Sequence, residues 1–177
     1  MNLRILFLIA AALTATVSAE AQRRDYLTEA EVEIVRNNQD IDLRVAVLTR
    51  MIDRRFAVIG IDTGGPKLSK KSEDDWGVEP KGTRLEILTD IRLLLEKAID
   101  DIDSLPSRLP EKMKNQKGDD IFAKGVRSLA SSAKRWMPHL IKENAASQTA
   151  QDEKLYGTTA ASIEFCEQII EASSKVK

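Results

Sequence analysis

The side chains best suited to chemistry include the only histidine of the chain, His139. An imidazole changes charge near neutral pH and binds metals, so His139 could act as a ligand or in proton transfer. It follows Pro138, and a proline inside a helix bends the helix away from its own side. Helical spacing places His139 off the apolar stripe, which favours a partly exposed histidine. We therefore treat it as a candidate contact to a partner.

Three aspartates form a candidate acidic cluster near the end of a predicted helix: Asp100, Asp101 and Asp103. Carboxylates at this density could bind a divalent cation or work as an acid and base pair. Their spacing differs from that of a calcium-binding loop, and we expect all three on the outer, solvated face of the helix. The sequence therefore predicts no metal site.

Trp76 is an aromatic residue in a stretch rich in glycine and charge. An exposed loop tryptophan could contact a protein partner or stack on a sugar. The alternative is an indole that folds back onto the body of the protein. Trp76 and His139 are the two candidate partner contacts.

No catalytic residue and no cofactor is predicted. The serines have no histidine partner signalled by the sequence, so a hydrolase triad has no support. Haem bundles of the b-type cytochrome kind take Met and His from opposite ends of the chain, a pattern that His139 does not fit. Cys166 lacks the c-type haem attachment signature and lies at the centre of an apolar stripe, so we expect a buried thiol.

The composition excludes several function classes. The 177 residues include 27 Lys plus Arg and 28 Asp plus Glu, which removes a general electrostatic reason to bind nucleic acid. One cysteine excludes an internal disulfide framework, and one cysteine with one histidine excludes the usual zinc sites. With 42% hydrophobic and 31% charged residues, the chain is typical of one soluble globular domain.

Helices must position these residues, because apolar residues recur at helical spacing and no segment alternates as a strand does. Capping boxes at Thr28 and Thr83 mark two helix starts. We predict an all-α fold, an antiparallel up-down bundle of about four main helices. The predicted core stripes are Ile41, Val45, Leu48, Ile52, Phe56 and Ile59; Leu88, Ile91, Leu95, Ala98, Ile102 and Leu105; Phe122, Val126, Leu129, Ala133, Trp136 and Leu140; and Leu155, Thr159, Ser162, Ile163, Cys166, Ile169 and Ile170.

Two long loops, residues 60–82 and 106–118, exceed what a bundle needs, and loops of this length are often functional. Residues 37–40 form either a turn or a bend. A further turn is predicted between residues 142 and 154, where the apolar residues are only alanines, although a continuous helix stays possible.

Residues 1–19 have the features of a secretory signal peptide: a positive start, a short apolar run and small residues before Ala19. The apolar run is shorter than the roughly 20 residues that span a bilayer. We expect cleavage after Ala19 to leave one helical-bundle domain, residues 20–177, that is periplasmic or secreted and has no membrane span. An uncleaved anchor is the alternative.

Residues 25–32 (DYLTEAEV) and 42–45 (DLRV) resemble the start of uncharacterised secreted helical proteins of acidobacterial type. This resemblance implies no known activity. A second resemblance, carried by Leu27 and Thr28, is to periplasmic stress chaperones with a Leu-Thr-x-x-Gln pattern, from which Glu31 departs.

The sequence therefore predicts an exported, non-enzymatic helical protein that binds a protein partner or associates with itself. A periplasmic stress or metal-linked helical chaperone is the alternative.

Overall fold

The structure, a computed structural model, describes residues 24–66, 75–104 and 116–176, with backbone alone for residues 116–120. The predicted signal peptide and parts of both long loops lie outside these ranges. The described residues form helices without any strand, which confirms the predicted all-α fold. The helices are Glu29–Asn37 (α1), Ile41–Val58 (α2), Arg84–Asp103 (α3), Gln116–Thr149 (α4) and Glu153–Lys175 (α5). None of the helices in the described ranges is long and apolar enough to cross a membrane.

Helices α1 and α3 begin at the two predicted capping boxes. The Thr28 hydroxyl accepts the Glu31 backbone N–H, and the Glu31 carboxylate accepts the Thr28 backbone N–H. Thr83 and Glu86 repeat this exchange at the start of α3. Between α1 and α2 the helix is interrupted, with Asp40 at the N-cap of α2. Local hydrogen bonding by polar side chains thus sets the starts of α1 and α3, whereas the Asp40 side chain makes no capping hydrogen bond.

Four salt bridges fix the directions of α2, α3 and α4: Arg44–Asp101, Arg55–Asp90, Lys124–Asp42 and Arg135–Asp53. In the first two pairs the residue number rises along α2 and falls along α3, so these helices are antiparallel. In the last two pairs it rises along both helices, so α2 and α4 are parallel. Asn144 of α4 donates to the Tyr156 carbonyl and the Thr159 hydroxyl, which makes α4 and α5 an antiparallel hairpin.

The helices therefore alternate in direction along the chain, as predicted, but form a ring in the order α2, α3, α5, α4. Helix α2 packs on α3 and α4, α5 packs on the same two helices, and α3 meets α4 only slightly. The connection after α3 consequently joins helices on a diagonal of the bundle. A diagonal crossing is longer than a link between neighbours, which explains why this connection is long.

The predicted stripes form the core. Buried members come from all four long helices, among them Leu48, Leu95, Trp136 and Cys166, whereas Leu105 lies outside the described residues. Cys166 is buried, which confirms the prediction for this residue. Burial raises the pKa of its thiol to about 12. Helix α4 continues through the exposed Pro138 and ends at Thr149, and the predicted turn occupies residues 150–152.

Candidate functional site

Polar side chains that are partly or fully buried join α2 to α4 in what we call the Asp53 cluster: Asp53, Thr63, Arg135 and Trp136. The Asp53 carboxylate accepts the Trp136 indole N–H and the Thr63 hydroxyl, each at 2.7 Å. Arg135 lies 3.3 Å from the same carboxylate and also donates to the Thr63 carbonyl at 3.3 Å. This cluster holds the chain that follows α2 against the bundle.

The glycine pair at 64 and 65 makes that docking possible. Gly64 has φ +70°, a left-handed conformation that glycine adopts without a steric penalty. A Cβ at Gly65 would overlap the Asp53 carboxylate. Residues 60–66, the described start of the first predicted loop, are therefore a docked segment of the domain.

Trp76, in the described end of the same loop, is folded back onto α2. Its side chain is only 6% exposed, and the guanidinium groups of Arg50 and Arg54 lie 5.9 Å and 5.4 Å from the ring centre. Arg54 also donates to the Trp76 and Val78 carbonyls, which fixes this segment on α2. The folded-back alternative is right for Trp76, since its indole is not exposed, and contact between Trp76 and a partner stays a prediction.

A cavity of about 660 Å³ lies between α2 and these two docked segments, and we call it the α2 cavity. Its walls include apolar and charged side chains: Arg50, Asp53, Arg54, Ala57, Ile61, Asp62, Thr63, Pro66, Trp76 and Glu79. Within the described ranges Arg50 makes its contact with Trp76 but no hydrogen bond or ion pair. Its guanidinium, like the Glu79 carboxylate in the same wall, therefore binds no group of the described residues through a hydrogen bond or ion pair.

A second buried cluster joins α1 to α2 and α3, and we call it the Glu31 cluster: Glu31, Arg54, Arg55, Asp90 and Arg24. The Glu31 carboxylate has no solvent exposure. Arg55 binds both of its oxygens, with Nη2 at 2.6 Å from Oε2, and Arg54 Nη1 lies 2.8 Å from Oε1. Arg55 also donates to the Tyr26 carbonyl, so the same side chain holds the residues that precede α1.

Asp90 is the least satisfied member of the Glu31 cluster. Its Oδ1 accepts from Arg24 at 2.6 Å, but Oδ2 lies 3.9 Å from Arg55 Nε, and neither of these two buried atoms has a hydrogen bond in the described structure. Burial raises the pKa of Asp90 to about 6, because the loss of hydration outweighs the attraction of Arg24 and Arg55. A smaller cavity of about 220 Å³ borders this cluster and shares Glu79 with the α2 cavity.

The predicted acidic cluster divides into two parts. Asp100 and Asp103 are exposed as expected, but Asp101 is 6% exposed and pairs with Arg44 at 2.9 Å and with Lys97 at 3.3 Å. The prediction that all three share the solvated face is therefore wrong for Asp101. In the described ranges no group of three or more His, Cys, Asp or Glu residues could hold a metal ion.

His139 is half-buried on α4, and its ring centre lies 6.1 Å from that of Phe56. It is absent from the walls of the α2 cavity, so the structure does not bring the two candidate partner contacts into one site.

Sequence reasoning predicted Trp136 in the core and a capping box at Thr28 and Glu31, but it missed the ion pairs and hydrogen bonds that build both clusters. A signal for two of the residues was available, because Asp90 lies between Ile87 and Leu94 on the apolar stripe of α3, and Arg55 lies among the apolar positions of α2. A charged residue at a stripe position indicates a buried ion pair. Nothing in the local sequence points from Asp53 to Trp136, since the two are distant along the chain.

The α2 cavity combines apolar side chains with two charged groups. The Arg50 guanidinium has no hydrogen-bond acceptor among the described residues, and the Asp53 carboxylate accepts from three side chains. Such an arrangement is suited to binding. Comparisons with protein-family models, curated proteins and solved structures find no match for this chain.

Proposed function

We propose that this protein is an exported, non-enzymatic binding protein, and that a protein partner, or a second copy of the chain, binds at the α2 cavity. The observation that carries the proposal is the ridge formed by residues 76–79 at the edge of this cavity. On this ridge Val78 is 70% exposed and lies between the α2 cavity and the smaller cavity beside the Glu31 cluster. A single exposed valine is ordinary, but this one lies beside a cavity with apolar side chains in its walls, a combination typical of binding sites.

The polar groups of the cavity also favour binding over catalysis. A general base needs an accessible lone pair, and the Asp53 carboxylate already accepts from Trp136, Thr63 and Arg135. The volume of about 660 Å³ falls within the range of roughly 300–1,000 Å³ that is common for ligand pockets. Such a cavity can receive one or two side chains of a partner.

The proposal is tested by placing a photo-crosslinking amino acid at position 78 in the full-length protein expressed in its native host. A crosslinker at Leu43, which is 49% exposed at the start of α2, is the matched control. We expect a discrete crosslinked product from position 78 that is absent from position 43. The captured protein, once purified, should bind the wild-type chain by calorimetry and lose affinity for the Val78→Ser variant.

Other outcomes separate the alternatives. A crosslinked product of two copies, together with a dimer mass in light scattering, assigns self-association. A broad range of products from both positions, with suppression of client aggregation at low molar ratio, assigns the chaperone alternative and contradicts a dedicated site. Identical products from both positions without such suppression also contradict the proposal.

A further inference from the structure

We infer that the α2 cavity recognises a carboxylate side chain of the partner protein through Arg50, whose guanidinium lies 5.9 Å from the centre of the Trp76 ring. This inference rests on the proposed function and adds the chemical class of the bound group. It follows from what each charged residue of the wall is already bound to.

The two arginines that contact the Trp76 indole differ in their hydrogen-bond and ion-pair partners. Arg54 is bound to the Glu31 carboxylate at 2.8 Å and to two backbone carbonyls of residues 76–78. Arg50 contacts the same ring, yet no carboxylate or carbonyl of the described residues accepts from it. Arg54 therefore positions Trp76, and Arg50 keeps its planar fork of donors for a ligand.

The electrostatics of this pair favour an anion beside Arg50. Two guanidinium groups on one indole repel each other, and Arg54 is paired with Glu31, whereas no described carboxylate makes an ion pair with Arg50. A carboxylate bound by Arg50 would supply this ion pair. Contact with the ring also limits the freedom of the side chain before binding, so less conformational entropy is lost when a carboxylate engages the fork.

The rest of the wall selects a single negative charge. Asp62 and Glu79 also line the cavity, and they would repel a dianion such as phosphate more strongly than a monoanionic carboxylate. Ala57, Ile61 and Trp76 give apolar surface for the methylene groups of an Asp or Glu side chain. The chemistry of the wall thus fits an acidic residue flanked by apolar ones.

The test uses two acetylated, amidated pentapeptides, Ala-Leu-Glu-Leu-Ala and Ala-Leu-Gln-Leu-Ala, added to the ¹⁵N-labelled mature protein. The Trp76 indole N–H signal reports binding, after its assignment by comparison with a Trp76→Phe variant. We expect the Glu peptide to shift this signal saturably and at least about tenfold more tightly than the Gln peptide, as a charge-assisted hydrogen bond predicts. Inorganic phosphate should bind more weakly than the Glu peptide.

Variants of Arg50 separate charge from geometry. Arg50→Gln should abolish the difference between the two peptides, and Arg50→Lys should retain part of it, because lysine keeps the charge but lacks the planar fork. Arg36→Gln, on the exposed face of α1, is the control and should change nothing. Circular dichroism confirms that each variant is folded.

Each remaining outcome has a defined meaning. Equal binding of both peptides, or an unchanged preference in Arg50→Gln, would overturn the carboxylate assignment. If the crosslink at position 78 still forms, the binding function stands and only the ligand class fails. Tighter binding of phosphate than of the Glu peptide would also overturn the inference.

Discussion

One carboxylate lies at the contact of α2 with α4 and another at the contact of α2 with α3, and their surroundings differ. Asp53, on α2 itself, faces α4 and accepts from an indole, a hydroxyl and a guanidinium. Asp90, on α3, has one partner at hydrogen-bond distance, Arg24, and a buried oxygen 3.9 Å from Arg55 Nε. The first carboxylate has replaced its lost hydration with protein donors, and the second has done so only in part.

The difference shows that burial alone does not decide whether a charge stabilises a fold. What matters is how many donors replace the water that folding removes. The Asp53 cluster should therefore stabilise the structure and keep residues 60–66 docked. In the Glu31 cluster, Glu31 should stabilise, because Arg54 and Arg55 share its charge, whereas ionised Asp90 should cost stability.

The largest expected effect comes from Glu31→Gln. The substitution keeps the shape of the side chain and an oxygen for the capping box, but leaves the buried Arg55 with only Asp90, 3.9 Å from its Nε, as a counter-charge. Breaking a buried ion pair on one side costs about 3–5 kcal/mol. We expect a loss of this size in the free energy of unfolding, measured by urea denaturation.

Glu33→Gln on the same helix is the matched control. Glu33 pairs with Arg36 at 2.5 Å, but both side chains are more than half exposed, and exposed pairs contribute about 0–1 kcal/mol. Equal losses in the two variants would show that the Glu31 cluster contributes no more than a surface ion pair.

The second-largest expected effect is a pH dependence of the free energy of unfolding, which Asp90→Asn should remove. The pKa of Asp90 is raised from 3.8 to about 6 in the folded protein, so the folded state binds more protons than the unfolded state between these values. The free energy of unfolding therefore falls as pH rises through this window. The shift corresponds to about 3 kcal/mol at 1.36 kcal/mol per pKa unit.

The measurement is the unfolding free energy of Asp90→Asn minus that of the wild type, determined across the range from pH 4 to pH 7.5. It should rise with pH, so that the variant is relatively more stable at pH 7.5. Partners lower the pKa of Asp42, Glu86 and Glu171, and these groups act in the opposite sense, but they are common to both proteins and cancel. A flat difference curve would mean that Arg24 and Arg55 fully compensate the Asp90 charge.

The contrast between the two carboxylates also marks what the sequence could predict. Capping boxes and apolar stripes depend on neighbours three to seven residues away, so the helices and the core were predictable from local spacing. The ring order and the two clusters depend on partners distant in the sequence. Asp101 illustrates the limit, because it lies seven residues after Leu94 and so faces Arg44 of α2.

Asp53→Asn should give the opposite sign from Asp90→Asn at pH 7.5. The amide keeps the shape but turns one acceptor into a donor that faces Trp136, Thr63 and Arg135. Hydrogen bonds to a charged group contribute about 1.5–3 kcal/mol, so we expect a loss of about 2 kcal/mol in unfolding free energy. Asp103→Asn, at an exposed position, should stay within about 0.5 kcal/mol of wild type. Stabilisation by both Asp53→Asn and Asp90→Asn would remove the distinction between the clusters.

The smallest expected effect, Gly65→Ala, asks whether the Asp53 cluster acts mainly by docking residues 60–66. A methyl group there overlaps the Asp53 carboxylate, so the segment must lift and the Thr63 hydrogen bond must lengthen or break. One such bond contributes about 1 kcal/mol. Amide exchange should accelerate in residues 60–66 and stay unchanged at Ile91 in the core of α3.

Gly157→Ala is the control, because open space surrounds that position in α5, and alanine should stabilise the helix by roughly 0.5–1 kcal/mol. Faster exchange at Ile91 as well would mean that the Asp53 cluster stabilises the whole bundle, as we expect of Glu31, and does more than dock residues 60–66.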